Sequence, residues 1–141
     1  MEVFEKLKKG EEILLPNLGM ETLHHVHADD VAQSFELSIH HADRVTGDSF
    51  NIVSPQAMSM RGYAELMGTW FEQPAIMKFL PWDQWRQTVN EDDAVITWDH
   101  LIHSPCCSIE KARRLLQYKP RYSSIEAVQE SVEWQIANGG L

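Results

Sequence analysis

The 141-residue sequence has no long hydrophobic run and comparatively few cationic side chains. No apolar stretch approaches the roughly 20 residues that a membrane-spanning helix needs, and the charged start (MEVFEKLKKGEE) is unlike a secretory signal. The 12 Lys and Arg residues stand against 21 Asp and Glu residues, which gives a net charge of −9. This balance argues against a surface for nucleic acid or anionic membranes, because both select for clustered Lys and Arg.

Cysteine is scarce as well. The sequence contains only Cys106 and Cys107, which are adjacent and therefore poorly placed for an ordinary disulfide bond. A reducing, cytoplasmic location is the expectation. There are no internal repeats and no Gly/Ser linker, so the length predicts one domain over residues 1–141.

Glycine-rich phosphate-binding loops are also absent from the sequence, since neither GxGxxG nor GxxGxxG occurs. Short strands are predicted at Ile13 to Leu15, Leu23 to His27, Ser49 to Val53 and Ala75 to Leu80. Amphipathic helices are predicted between and after them, beginning at Val3, Asp30, Ser59, Asp93, Ser108 and Ser123, with one further helical turn at Trp82 to Trp85. The pattern predicts a small α+β domain without a complete Rossmann fold, one that completes a larger domain.

The segment from Leu23 to Asp30 contains three histidines and two aspartates. The change from strand to helical spacing predicts Asp30 as a helix cap, with Gln33 completing a capping box. In a strand, His25 and His27 share one face, so with Asp29 they offer three possible zinc ligands. No supporting ligand pattern accompanies them, and structural histidines are the favoured interpretation, with no metal expected.

Two further clusters invite a chemical interpretation. His100 and His103 lie just before Cys106 and Cys107, the arrangement of a thiol nucleophile with a base, although small residues before a helix are common. The Trp82–Trp85 turn follows a proline and is the aromatic pair best placed to line a cleft. Neither cluster forms a recognisable catalytic triad, so no catalytic residue is predicted.

Several short motifs follow one another in a fixed order. They are HADDVA at 27–32, GxxFNI at 47–52, a helix starting at Ser59, SIEKARRLLQYKP at 108–120 and SIEA at 124–127. In this order they resemble the C-terminal, substrate-binding part of the extended short-chain dehydrogenase/reductases, the NAD-dependent epimerase/dehydratase family. Ala28 and Gln117 depart from the family's usual Val and Gly.

The resemblance implies that an N-terminal NAD-binding half is absent from this chain. In the family that half carries the GxxGxxG loop, which binds NAD(P), and the catalytic YxxxK pair, and no Tyr here has Lys four residues later. The chain is therefore expected to hold no cofactor and to be inactive alone, although family members perform isomerase, oxidoreductase or lyase chemistry. The resemblance implies that the partner is the missing Rossmann half or another chain, bound through an exposed apolar face. A second copy of this chain, in a homo-oligomer, is one such partner.

Two positions that hold phosphate-binding arginines in nucleotide-sugar members of the family are apolar here, namely Leu23 and Ile96. Neither side chain can grip a diphosphate, whereas Arg86 offers a guanidinium from a different element. The expected function is binding of a sugar or nucleotide-sugar-like substrate. The predicted substrate wall consists of Leu14, Pro16, Asn17, Leu23, Trp82, Trp85 and Arg86. The alternatives are a stand-alone binding or dimerisation module and a small metal-dependent hydrolase built on the histidines.

Overall fold

The computed structural model describes residues 2–141, which contain eight helices and four short strands, the last four elements all being helices. The helices are α1 (Glu2–Lys9), α2 (Ala28–His40), α3 (Ala42–Val45), α4 (Met60–Trp70), α5 (Trp82–Trp85), α6 (Glu91–His103), α7 (Glu110–Leu116) and α8 (Ser124–Ala137). The strands are β1 (Ile13–Pro16), β2 (Thr22–Leu23), β3 (Met58–Ser59) and β4 (Met77–Leu80). The predicted α+β domain of short strands and several helices is confirmed.

The strands form two separate two-stranded sheets. β1 runs parallel to β4, with Ile13 opposite Met77, whereas β2 runs antiparallel to β3, with Leu23 opposite Met58. Gly10 follows α1 with a φ of +67°, the left-handed conformation that is common after the last residue of a helix, and so turns the chain into β1. None of the helices in residues 2–141 is long and apolar enough to cross a membrane.

The interior consists of two clusters of buried side chains. The first packs α1, α4 and α8 around the larger sheet, through Leu7, Ile13, Leu15, Ala64, Met67 and Val132. The second packs α3 against α7, through Val45, Ile109, Ala112, Leu116 and Tyr118. The phenol of Tyr118 donates a hydrogen bond to the Val53 carbonyl (3.2 Å), and burial, assisted by the Asp30 carboxylate, raises the pKa of Tyr118 to about 12.

Two of the predicted strands differ in the structure. The strand expected from Leu23 to His27 has ladder pairing only at Thr22–Leu23, and the one expected from Ser49 to Val53 does not form. The two segments share one backbone hydrogen bond, from Ser54 N–H to the His25 carbonyl (3.1 Å), which is too little for a ladder. Phe50, Ile52 and Val53 are apolar because they pack on the second cluster.

Asp30 does not cap α2, so that prediction is wrong. The helix begins two residues earlier, and His27 is its N-cap because its Nδ1 accepts the Asp29 N–H (3.1 Å). Asp30 is instead fully buried, and its two carboxylate oxygens accept the backbone N–H groups of Arg121 (2.9 Å) and Tyr122 (3.1 Å). The carboxylate thus ties α2 to the loop that precedes α8.

Of the other three predicted helix caps, two are confirmed and one is wrong. Ser59 caps α4, and Ser123 with Glu126 forms the predicted capping box at α8. Ser108 is not the N-cap of α7, because the helix begins at Glu110 after Ile109, although the Ser108 hydroxyl still accepts the Glu110 N–H (3.2 Å).

Candidate functional site

A largely apolar cleft of about 990 Å³ opens between α1, α4, α6 and α8, and the segment 23–29 forms part of its wall. We call it the apolar cleft. At its edge, large apolar side chains that a folded chain would normally bury remain in solvent. They are Val3 (43% exposed), Ile96 (58%) and Trp134 (62%). The cleft therefore has large exposed apolar side chains at Val3, Ile96 and Trp134.

The polar groups of the apolar cleft centre on His25 and Tyr63. The Tyr63 hydroxyl and His25 Nδ1 are 2.6 Å apart and share a hydrogen bond, with the two rings edge to face. Desolvation lowers the pKa of His25, assisted by His100 and His24, and raises the pKa of Tyr63. His100 also lines the cleft, with its Nδ1 hydrogen-bonded to the Ile96 carbonyl (2.8 Å). Both imidazoles are thus oriented by hydrogen bonds to neighbouring groups, and burial favours the neutral form of His25.

The remaining histidines of the segment hold the fold together. His27 stacks on Tyr122 and pairs through Nε2 with the Glu130 carboxylate (2.8 Å), while its Nδ1 caps α2. The His24 ring accepts the Cys107 N–H (3.1 Å) through Nδ1 and contacts the Ser54 carbonyl (2.9 Å) through Nε2. Within residues 2–141, no group of three or more His, Cys, Asp or Glu side chains is arranged to hold a metal ion.

Within residues 2–141, no hydrogen bond joins the thiol of Cys106 or Cys107 to the base that an activated nucleophile needs. Cys106 and Cys107 are both free and exposed. The nearby imidazoles of His100 and His103 turn back to their own helix, where their Nδ1 atoms hydrogen-bond the Ile96 and Asp99 carbonyls at 2.8 Å.

The residues predicted to form one substrate wall fall into two places. Trp85 is buried and donates its indole N–H to the Leu14 carbonyl (2.9 Å), which brings α5 against β1. Arg86 pairs with Asp83 (3.6 Å). Leu23 is separate from this group and lines the apolar cleft. Pro16 ends β1 on the same face as Leu14, and Asn17 follows in a left-handed conformation (φ +51°).

Trp98 was not predicted to take part in this group. Its ring lies 4.9 Å from that of Trp82, which also stacks on Trp85 at 5.6 Å. Helical spacing alone indicates an apolar stripe on α6, but Val95, Trp98 and Ile102 of that stripe are all more than 45% exposed. The exposure of this stripe is what the sequence could not reveal.

The fold is that of part of an NAD-dependent epimerase chain, as the motifs predicted. The epimerase Mth375 of Methanothermobacter thermautotrophicus is 22% identical and has a TM-score of 0.68 over 97% of this chain and 36% of its own. WbmF of Bordetella bronchiseptica, solved with NAD+ and UDP, is 23% identical, with a TM-score of 0.62 over 96% of this chain and 35% of its own. UDP-glucuronic acid 4-epimerase of Bacillus cereus, solved with NAD, is 15% identical, with a TM-score of 0.60 over 89% of this chain and 34% of its own.

A curated relative also matches this chain over about a third of its own length. The chloroplast stem-loop binding protein of 41 kDa b of Arabidopsis thaliana is 25% identical over 138 residues, which are 96% of this chain and 35% of the plant protein. No protein-family profile matches the chain. The chain thus spans about a third of the length of these similar proteins.

Proposed function

We propose that this chain is the substrate-side portion of an NAD-dependent epimerase/dehydratase-like protein, one domain that acts on a sugar or nucleotide-sugar-like substrate in the cytoplasm. The observation that carries the proposal is the match of nearly the whole chain to about a third of several epimerase chains. On this proposal, the chain is inactive alone, and NAD(P) and the proton-transferring Tyr and Lys come from the missing half.

The apolar cleft supports the need for a partner. Burial of apolar surface stabilises by about 25 cal/mol per Å², so a partner that covers Val3, Ile96 and Trp134 gains free energy that the isolated chain forgoes. We propose the NAD-binding half as the group that covers the cleft.

The apolar residues Leu23 and Ile96, at the positions where arginines were expected, limit which substrates the chain can bind. Leu23 and Ile96 lie on different elements, yet both line the apolar cleft. A diphosphate placed there would lose its water without gaining a cation. We therefore propose that the apolar cleft holds no diphosphate, and that the sugar-like substrate lies at the other place, formed by Leu14 to Asn17, Trp82, Trp85 and Arg86.

Binding of nucleic acid is the function in the name of the plant relative. We do not extend it to this chain, because a net charge of −9 opposes contact with phosphate backbones.

A second candidate is a stand-alone binding or dimerisation module, favoured by the exposed apolar stripe on α6. Light scattering after size-exclusion chromatography separates the two candidates. A stable homodimer that buries Trp98 and Trp134 would favour the module, whereas a monomer at all concentrations favours the epimerase portion.

Calorimetric titration of NAD+ into the isolated chain tests the proposed function, with intact WbmF as the positive control because it was solved with NAD+. We expect saturable heat from WbmF and none from the chain. Saturable binding of NAD+ to the chain alone would contradict the proposal.

A further inference from the structure

The extended segment from Glu21 to Val26 has one satisfied edge and one that is largely unpaired. In an extended strand the N–H and C=O groups of successive residues point to opposite edges. The edge formed by the odd-numbered residues is paired. The carbonyl of Glu21 accepts the Met60 N–H (3.0 Å), Leu23 pairs with Met58, and the carbonyl of His25 accepts the Ser54 N–H (3.1 Å).

The opposite edge, formed by the even-numbered residues, has the segment 104–107 beside its start, where Thr22 Oγ1 donates to the Pro105 carbonyl (2.9 Å) and the Cys107 N–H donates to the His24 ring (3.1 Å). The Thr22 N–H donates to the Ser104 hydroxyl (3.0 Å), and this side chain lies where a neighbouring strand would otherwise continue. Beyond it, the backbone N–H and C=O groups of His24 and Val26 have no hydrogen-bond partner within residues 2–141. Four backbone groups of this edge therefore lack a hydrogen-bond partner within residues 2–141.

The free edge lies beside the apolar cleft, because Val26 and its neighbours His25 and His27 line that cleft. An apolar group that fills the cleft would take His24 and Val26 away from water. Buried backbone groups without partners are rare and destabilising, at about 1 to 3 kcal/mol each by mutational estimates. A ligand that covers this surface must therefore supply hydrogen bonds as well as apolar area, and an added β-strand does both.

We propose that the His24–Val26 edge receives a β-strand from the NAD-binding partner, which joins this chain by strand addition. The inference rests on the proposed function and specifies how the partner binds. The partner is chosen because the similar epimerase chains are about three times as long as this one. Its strand must be apolar on the side that meets Val26 and the cleft, and it must stop before Thr22, where Ser104 occupies the edge.

The experiment uses a chimera of WbmF in which residues 2–141 of this chain replace the matched segment. Hydrogen–deuterium exchange is compared between the chimera and the isolated chain. We expect the amides of His24 and Val26 to exchange at least about tenfold more slowly in the chimera, as one added hydrogen bond each implies. The amide of Ser54, already bonded, is the internal reference.

A proline substitution tests the same edge with a matched control. Val26→Pro removes a donor that has no partner in the isolated chain, so that chain should remain folded, while the chimera should lose the slow exchange at His24. Ala28→Pro lies two residues on, in the same cleft wall, but at the first position of α2, where proline is tolerated. It should leave exchange at His24 unchanged.

The outcomes separate the two claims. A chimera that binds NAD+ but exchanges His24 and Val26 as fast as the isolated chain would overturn the strand addition and leave the proposed function standing. A chimera that folds and does not bind NAD+ would contradict the proposed function itself. Slow exchange at both amides in a homodimer of the isolated chain would overturn the choice of partner.

Discussion

Asp30 shows how much of the fold depends on a single buried carboxylate. Its side chain is fully buried and accepts two backbone N–H groups from the loop before α8, with the Arg121 guanidinium 3.6 Å away. We expect Asp30→Asn to lower the free energy of unfolding by about 1 to 3 kcal/mol, because it weakens charge-assisted hydrogen bonds at a buried site. Urea unfolding measures this effect. The control is Asp29→Asn. Because Asp29 is exposed, this substitution should change the free energy of unfolding by no more than about 0.5 kcal/mol. Equal losses of stability in the two variants would contradict the role given to the buried Asp30 carboxylate.

His25 makes stability depend on pH. Desolvation lowers the pKa of His25 below 6.5 in the folded chain, so the unfolded chain binds more protons as the pH falls through this region. Stability should therefore be highest above about pH 6.5 and fall as the pH decreases through the folded pKa. His25→Gln removes this titration and can keep a hydrogen bond to Tyr63. Unfolding free energies between about pH 7 and pH 5 should fall less steeply in the variant than in the natural chain, and identical slopes would contradict the assignment.

At the scale of elements, one indole joins α5 to β1. Trp85 is buried and donates to the Leu14 carbonyl, whereas Trp98 on α6 is 46% exposed. We expect Trp85→Phe to cost about 1 to 3 kcal/mol, since the substitution leaves the part-buried Leu14 carbonyl without its donor. Trp98→Phe should cost less than about 0.5 kcal/mol. The stabilities of the two variants are compared by thermal unfolding. A larger loss of stability in Trp98→Phe than in Trp85→Phe would show that the aromatic group is centred on α6 instead.

The elements also show what the sequence can and cannot predict. The caps of α4 and α8 were predictable because Ser59 and Ser123 find their hydrogen-bond donors three residues away. The role of Asp30 was not, because its partners lie 91 and 92 positions along the chain. The strand expected at 49–53 failed for a related reason: apolar spacing indicates burial, but a strand also needs a neighbour with which to pair.

The candidate site was predictable to a similar extent. The Trp82–Trp85 turn was identified from local sequence, and it lies against β1 through Trp85. The apolar cleft was not predicted as a cavity, because it is enclosed by four helices far apart in sequence. Leu23 and Ile96, the two apolar positions at expected arginine sites, both line it, whereas the other residues of the predicted substrate wall do not.

For the whole molecule, we propose that this chain, which matches about a third of the similar epimerase chains, completes an NAD-dependent protein through the apolar cleft. The exposure of Trp134 at the cleft edge gives this claim a direct optical signal. In the WbmF chimera we expect Trp134→Phe to change the intrinsic fluorescence and to raise the susceptibility to urea, because the indole is covered there. In the isolated chain the same substitution should change stability by less than about 0.5 kcal/mol. Equal effects in the two settings would mean that the cleft stays open.

Calorimetric titration of NAD+ into that chimera tests the central claim most directly. The account predicts saturable binding within about tenfold of the affinity of intact WbmF, which corresponds to a difference of about 1.4 kcal/mol or less. A folded chimera that gives no heat with NAD+, while WbmF binds it under the same conditions, would contradict the claim.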